Sequence, residues 1–415
     1  MSVAIQEAER TATGSRKFEV EERRATSRPA LPASSPRFMI DGSPELEAHL
    51  ARTCEKIAAG LRGLLPRRKL QAVLLGGGYG RGEGGVLRTP EGDRPYNDLE
   101  FYVCLRGNRH LNEKLHGQAL HVLGEILTPQ AGIEVEFKIT SLRELADRPV
   151  SMFSYDLVSG HRWLIGGEQM LARCAHHRDG GQIPLAEATR LLMNRCSGLL
   201  FAREKLQRAV FTPGDADFTR RNIAKAQLAF GDAILVCHGQ YHRSVHERHE
   251  RLRRIVRAEN TSWMDDVLAH HAIGVEFKLH PHRSADTRES LAPLHEEVTQ
   301  LAQITWRWIE SRRLRMPFRT AQDYLRPRVN KCPETNALRN LLLTLKVLGP
   351  LACFSPRAWR HPRERIFHAL TLLLWEPNAV TTPLLLRQIQ QELRTSATTF
   401  SAAVARYRDL WQHVN

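Results

Sequence analysis

The chain has 415 residues, of which 42% are hydrophobic, and carries a formal net charge of +15. This length and apolar content predict several domains rather than one core. The seven cysteines are scattered without a C-x-x-C pair, which argues against a zinc ribbon or a secreted disulfide scaffold and indicates free thiols. No segment has the length and apolarity of a signal peptide or a membrane span, so we expect a cytoplasmic protein with no membrane partner.

The excess positive charge attracts phosphate in any form, so nucleic acid is one possible partner. Arginines on the solvated faces of many helices are the preferred explanation of the charge, because no compact basic run with interleaved aromatic residues occurs. Nucleic acid therefore stays a secondary hypothesis.

The first elements are predicted in chain order from composition and periodicity. Residues 1–40 mix charged, small and proline residues without a period, which predicts a disordered tail. Apolar residues at helical spacing predict an amphipathic helix over 44–65. The apolar run LQAVLL, residues 70–75, predicts a strand, and the segment GGGYGRGEGG that follows at 76–85 predicts a turn that depends on glycine.

Two more strands are predicted, each with one acidic face. A loop punctuated by proline and glycine leads to NDLEFYVCL at 97–105, where apolar and polar residues alternate as in a half-buried strand. A helix is predicted over 111–127, and IEVEFKIT at 133–140 repeats the alternation. The order helix, strand, strand, helix, strand predicts a small α/β domain over residues 41–165.

Beyond residue 165 nearly every strong period is helical. Apolar residues recur at steps of three or four over 185–210 and again over 218–241, which predicts two packed core helices. We expect one helical domain over 166–278 and, after a polar linker, a second over 290–415. The predicted fold class is therefore α+β, with a small mixed β-sheet domain followed by a mostly α-helical region.

The acids of the second predicted strand indicate a metal site. Asp98 and Glu100 are two residues apart, so their side chains share one face at a distance of about 7 Å. Two carboxylates at that distance repel by about 2–3 kcal/mol at an effective dielectric constant of about 20. A hard divalent cation such as Mg²⁺ or Mn²⁺ relieves this repulsion and also bridges to substrate phosphates.

The glycine-rich turn does not fit the two commonest phosphate-binding motifs. The Walker pattern is absent, because no Lys-Ser or Lys-Thr follows any of these glycines. Gly80, Gly82 and Gly85 satisfy G-x-G-x-x-G, but a dinucleotide fold needs a helix directly after the third glycine, and a proline-containing loop stands there instead.

The segment LLGGGYGRGEG at 74–84, followed by NDLEFYV at 97–103, resembles the polymerase-beta-type nucleotidyltransferase superfamily. The resemblance covers about residues 70–140. It implies that Asp98 and Glu100 are the metal pair and that a third acid on a later strand completes the site. Glu136 is the preferred third acid, since it lies nearer the middle of its strand, but Glu134 shares its face and stays open as the alternative.

The resemblance also implies an activity. We expect metal-dependent transfer of a nucleoside monophosphate, with AMP from ATP as the first choice, to a hydroxyl of a small molecule, a protein or RNA. Glu136 would complete the metal site or take the acceptor proton. The turn would bind the triphosphate through its backbone N–H groups, and a basic side chain would steady the pyrophosphate. The residues so assigned are Gly77, Gly78, Tyr79, Gly80 and Arg81.

The helical region contributes one further candidate, Lys225, which lies beside the apolar face of its predicted helix and is a candidate for reaching a phosphate. A solvated surface role is the alternative both for this lysine and for Arg81. Two rival functions stay open for the whole chain: a catalytically degenerate nucleotidyltransferase that binds nucleotide without turnover, and a basic module that binds RNA or protein through its helical region.

Overall fold

The computed structural model describes residues 37–283, 286–325, 329–376 and 378–414. Most of the predicted tail therefore lies outside the described residues. At its end, Phe38 and Met39 are buried in the core of the sheet domain.

The first part of the described chain combines a mixed sheet with helices, in the predicted order. The elements are α1 (Pro44–Leu64), β1 (Leu70–Leu75), α2 (Gly77–Arg81), β2 (Gly85–Thr89), β3 (Gly92–Tyr96), β4 (Asp98–Leu105), α3 (Arg109–Ala131), β5 (Glu134–Thr140), α4 (Leu142–Asp147), α5 (Met152–Ser159) and β6 (Arg162–Ile165).

Four of these strands form one sheet in the order β5-β4-β1-β6. Strand β1 runs antiparallel to β4 and β6, whereas β4 and β5 are parallel and are connected through α3. Strands β2 and β3 form a separate hairpin where the sequence predicted only a loop, closed by Pro90 and Glu91 between the paired residues Thr89 and Gly92. The backbone of Gly92 has φ +115°, which glycine adopts without strain.

The central strands are buried on both faces. Residues two apart on β1 and β4, such as Val73 and Leu75, pack with α1 and α3. The alternate residues, such as Leu74 and Cys104, pack with residues of α4 and α5. Because helices cover both faces, the sequences of these strands are nearly continuous apolar runs. Asp98 and Glu100 are partly exposed because they lie at the beginning of β4, before its fully buried part.

The rest of the described chain is mostly helical. The helices are α6 (Leu185–Leu206), α7 (Pro213–Cys237), α8 (Val245–Glu259), α9 (Ser262–Leu279), α10 (Arg288–Leu314), α11 (Ala321–Tyr324), α12 (Ala337–Leu348), α13 (Arg363–Trp375), α14 (Pro383–Leu393) and α15 (Phe400–Val414). The α+β fold class is confirmed.

Both predicted helical regions share one contiguous core, in which Phe230 of α7, Trp306 of α10 and Tyr407 of α15 are buried. The described helices include none that combines the length and the apolarity needed to cross a membrane. All seven cysteines are free, as the sequence predicts.

Candidate metal centre and cleft

The three predicted acids lie close together at the end of the sheet where β4 begins. Asp98 and Glu100 project from the same face at the start of β4, and the parallel register sets Glu136 of β5 directly beside Glu100. One oxygen from each carboxylate lies within 4.8 Å of the other two. Glu134, the alternative third acid, is exposed and is not part of this cluster.

A cation that the sequence analysis missed lies among these acids. The Nζ of Lys138 donates a hydrogen bond to Oε1 of Glu100 at 2.6 Å and pairs with Oε2 of Glu136 at 3.0 Å. Burial lowers the pKa of Lys138, but these two carboxylates and the nearby Tyr102 outweigh the burial and raise it overall. Lys138 therefore stays charged and neutralises part of the cluster.

Around Asp98, the negative charge of the neighbouring carboxylates exceeds the positive charge of Lys138. Burial, followed by the charges of Glu100 and Glu136, raises its pKa, and Lys138 only partly opposes this rise. The preceding residue, Asn97, has φ +75°, a left-handed conformation that asparagine tolerates better than most residues. Because the pKa of Asp98 is raised by its neighbours, a further positive charge near this residue would stabilise the cluster.

The glycine-rich turn lies against the acids. The N–H of Gly76 donates to the backbone oxygen of Glu100 at 2.9 Å. Gly77 has φ +61°, and a Cβ at this position would lie 3.1 Å from Oε2 of Glu100. Gly80 passes so close to β1 that a Cβ would lie 2.2 Å from the oxygen of Leu75. The left-handed backbone of Gly77 and the close approach of Gly80 to the backbone of β1 both favour glycine.

The backbone amides of the turn divide into two groups. In the described chain, the N–H groups of Gly77, Gly78 and Tyr79 donate to no backbone or side-chain acceptor, because they form the first turn of α2. The N–H of Gly80 instead donates to the oxygen of Gly76 at 2.9 Å. Three of the four amides predicted to bind phosphate therefore lack an acceptor, and of these Gly77 and Gly78 belong to residues that are partly exposed.

The side chain of Tyr79 supports the turn. It is buried, and its hydroxyl donates to the oxygen of Gly85 and accepts from the N–H of Tyr96, both at 2.8 Å. Burial raises its pKa, so the hydroxyl stays protonated. The side chain fixes the β2–β3 hairpin to the turn, and Tyr79 as a whole is buried, so it supports the turn rather than facing a ligand.

Arg81 belongs to an ionic network and is not a solvated residue at a loop tip. Its side chain is 12% exposed, with Nη1 3.4 Å from Asp156 and Nε 4.0 Å from Glu83. Glu83 also accepts from Lys278 at 3.3 Å and from the backbone N–H of Val245 at 2.8 Å. The turn is thus tied to helices α8 and α9.

A cleft of about 390 Å³ opens between the turn and the helical region, and it is lined by residues of α2, α5, α6, α7, α8 and α9. Its acids already have partners: Asp156 pairs with Arg81, Glu187 with Arg190 at 2.6 Å, and Asp232 with Arg248 at 3.0 Å. Its acidic groups are therefore compensated within the protein.

Two cations of the cleft have no such partner. Lys225, predicted as a phosphate ligand, and Arg195, which sequence analysis missed, make no ion pair or side-chain hydrogen bond to any described residue. Lys225 keeps solvent-exposed surface, yet the cleft walls and the charges of Arg195 and Arg221 lower its pKa, an effect that Asp98 partly opposes. Burial likewise lowers the pKa of Arg195. The cleft therefore has uncompensated positive charge facing the acid cluster.

No family model matches the chain, and neither a curated protein nor a solved structure matches it. The resemblance to the polymerase-beta-type superfamily thus stays a prediction from the motifs, and any function has to be argued from the chemistry of the site.

Proposed function

We propose that the chain is a metal-dependent nucleotidyltransferase that transfers a nucleoside monophosphate, with AMP from ATP as the first choice, to an acceptor hydroxyl. One observation carries the proposal: the three carboxylates of Asp98, Glu100 and Glu136 converge within 4.8 Å. The glycine turn adjoins this cluster, and the neighbouring cleft has unpaired cations, so groups suited to metal and to phosphate lie side by side.

The donor set fits a hard divalent ion. Three carboxylates offer only oxygen ligands, which Mg²⁺ and Mn²⁺ prefer, and none of the free cysteines belongs to the cluster. Asp98, Glu100 and Glu136 would hold the ion. Such an ion supplies neutralisation of phosphate charge and polarises the phosphoryl oxygens.

The chain's own residues supply binding and proton transfer. The open amides of Gly77 and Gly78, with Lys225 and Arg195 across the cleft, match the charge of a triphosphate. The acceptor oxygen forms a bond to the α-phosphorus while the bond from that phosphorus to pyrophosphate breaks. Glu136, whose side chain is 44% exposed, takes the hydroxyl proton if it acts as the base and not as the third metal ligand.

The test compares Glu136→Gln with Glu134→Gln, a matched pair on one strand. Each protein is incubated with α-phosphate-labelled ATP, GTP, CTP or UTP, with Mg²⁺ or Mn²⁺, and with a cell extract as the source of acceptors. We expect label transfer and pyrophosphate release from wild type and from Glu134→Gln, and about a hundredfold less from Glu136→Gln. Equal activity of the two variants contradicts the assignment of the third acid, and no transfer with any nucleotide contradicts the proposed function.

A specific observation favours a second function, that of a degenerate nucleotidyltransferase that binds nucleotide without turnover. Lys138 already bridges Glu100 and Glu136 and so supplies a positive charge where a divalent ion would lie. If this bridge persists, the three acids are a structural ion-pair cluster. Nucleotide binding that does not depend on Mg²⁺, together with no pyrophosphate release, would support this second function.

Replacing Lys138 by Gln separates the two functions. In the proposed enzyme the ammonium competes with the metal for two ligands, so its removal should strengthen Mn²⁺ binding by roughly tenfold. Titration calorimetry of the nucleotide-free protein with MnCl₂ measures this affinity. If Mn²⁺ binds neither protein, the cluster is structural, and the degenerate alternative is favoured.

A further inference from the structure

A second concave surface lies at the opposite end of the sheet from the acids. Strand β4 begins at Asp98 and ends at Leu105, a length of about 25 Å, and Arg106 follows directly. The segment 106–110, the start of α4 and part of the segment after β6 enclose a cavity of about 970 Å³, here called the basic groove. This groove is separate from the cleft that adjoins the acid cluster.

Arginine dominates the lining of the basic groove, which contains five arginines and two acids. Each acid is shared by two arginines. Glu144 pairs with Arg148 and lies 3.7 Å from Arg109. Asp147 lies 3.4 Å from Arg143 and 3.3 Å from Arg173. The fifth arginine, Arg106, is exposed, and its side chain has no ion pair or hydrogen bond with the residues that the structure describes.

The first turn of α3 adds an electrostatic conflict. The partial positive charge at a helix N-terminus favours acids there, yet the first turn of this 23-residue helix has none and carries Arg109 and His110. The Nε of Arg109 is buried without a hydrogen-bond acceptor. An anion in the groove would offset the like charges of this first turn.

The positive surface continues beyond the groove onto the turn between α1 and β1. The N–H of Arg106 donates to the oxygen of Lys69 at 2.9 Å, which brings this turn against the groove. Arg67 and Arg68 of the turn are exposed and have no ion pair within the described residues. Together with Arg106 they are three exposed arginines without an ion pair to the described residues, here called the unpaired arginines.

We propose that the basic groove and the unpaired arginines bind the phosphodiester backbone of a nucleic acid. A single phosphate would need only one or two arginines, whereas a chain of phosphates matches the larger number found in the groove and in the adjoining turn. Of the described residues that line the groove, none is Phe, Tyr or Trp and arginines predominate, so we expect contact mainly through the phosphate backbone. The net charge of +15 assists the approach of such a polyanion.

The test uses a variant that removes only unpaired charges, Arg67→Gln/Arg68→Gln/Arg106→Gln. The matched control Arg52→Gln/Arg257→Gln/Arg339→Gln also removes three exposed arginines without ion pairs to described residues, but they lie elsewhere. Fluorescence anisotropy measures binding of labelled single-stranded RNA and DNA of about 20 nucleotides over a range of KCl concentrations. Melting curves check that both variants fold.

We expect wild type and control to bind with a steep salt dependence. The groove variant should lose at least tenfold in affinity, and the slope of log K against log salt should fall by about 2, since each phosphate contact on a single strand contributes about 0.7. Similar affinities for RNA and DNA would identify the phosphate backbone that they share as the ligand. A higher affinity for RNA would indicate further contacts to the 2′-hydroxyl groups. If the groove variant binds like the control, or if inorganic tripolyphosphate binds as tightly as the oligonucleotide, the proposal is wrong.

This inference does not depend on the proposed enzyme activity. Asp98→Asn removes a charge at the far end of β4 and should leave nucleic-acid affinity unchanged, whereas it should remove nucleotidyl transfer. If Asp98→Asn abolishes nucleic-acid binding while the groove variant retains it, the strand binds at the acid cluster and the basic groove is not its site. Loss of transfer activity alone has no bearing on the groove.

Discussion

Replacing Asp98 by Asn should lower nucleotidyl transfer by about a hundredfold or more, the loss expected when one preorganised electrostatic contact in an active site is removed. The same change should raise the free energy of unfolding of the metal-free protein. The pKa of Asp98 is raised in the folded state, first by burial and then by Glu100 and Glu136. Its ionised form therefore costs stability at neutral pH, and a neutral amide of the same shape removes that cost.

The two effects are measured on one pair of proteins. Thermal melting with and without MgCl₂ should show a higher melting temperature for Asp98→Asn without the metal, and stabilisation by Mg²⁺ only for wild type. The sign follows from linkage: a carboxyl whose pKa is raised by folding favours the folded state at low pH and opposes it above that pKa. The stability difference between the proteins should therefore shrink as the pH falls toward 4. Equal Mg²⁺-induced stabilisation of both proteins would contradict the metal assignment.

Replacing Arg313 by Met should destabilise the fold by about 3–5 kcal/mol, because the change leaves a buried carboxylate without its cation. Glu310 is fully buried and accepts from Nε and Nη2 of Arg313, both at 2.7 Å. It also accepts from Tyr324 at 2.8 Å and from Thr189 of α6 at 2.5 Å. This network links α6, α10 and α11 inside the helical core.

Chemical denaturation of Arg313→Met, of Glu310→Leu and of the double variant Glu310→Leu/Arg313→Met tests this interpretation. The double variant should recover much of the lost stability, since it removes the unpaired charge together with its former partner. A loss in the double variant equal to the sum of the two single losses would show that the residues do not interact. In that case the effect of Arg313→Met would have another cause, such as the lost bond to the oxygen of Lys331.

The order of the main elements was predictable because their periodicity is strong. Strand β1 has the predicted bounds, and α1 and α3 agree within a few residues at each end. The β2–β3 hairpin was missed because Pro90, Gly92 and Pro95 dominate the segment and normally indicate a loop. Strand β6 was missed because four half-buried residues have no readable period.

The candidate site was predictable only where its residues are close in sequence. Asp98 and Glu100 share a face because of strand geometry alone, whereas the choice of Glu136 over Glu134 depends on which side chain turns toward that pair once β4 and β5 lie in parallel register. The same arrangement brings Lys138 to the acids, although its spacing from Glu136 was visible in the sequence. Arg195 reaches the cleft only through the packing of α6 and α7, which periodicity does not specify.

The measurement that tests the metal centre most directly is anomalous diffraction from crystals grown with MnCl₂ and a non-hydrolysable ATP analogue. The proposed function predicts a manganese peak about 2.1 Å from carboxylate oxygens of Asp98, Glu100 and Glu136, with Lys138 displaced from the two glutamates. A map without a peak at this position, in which Lys138 still bridges Glu100 and Glu136, would contradict it.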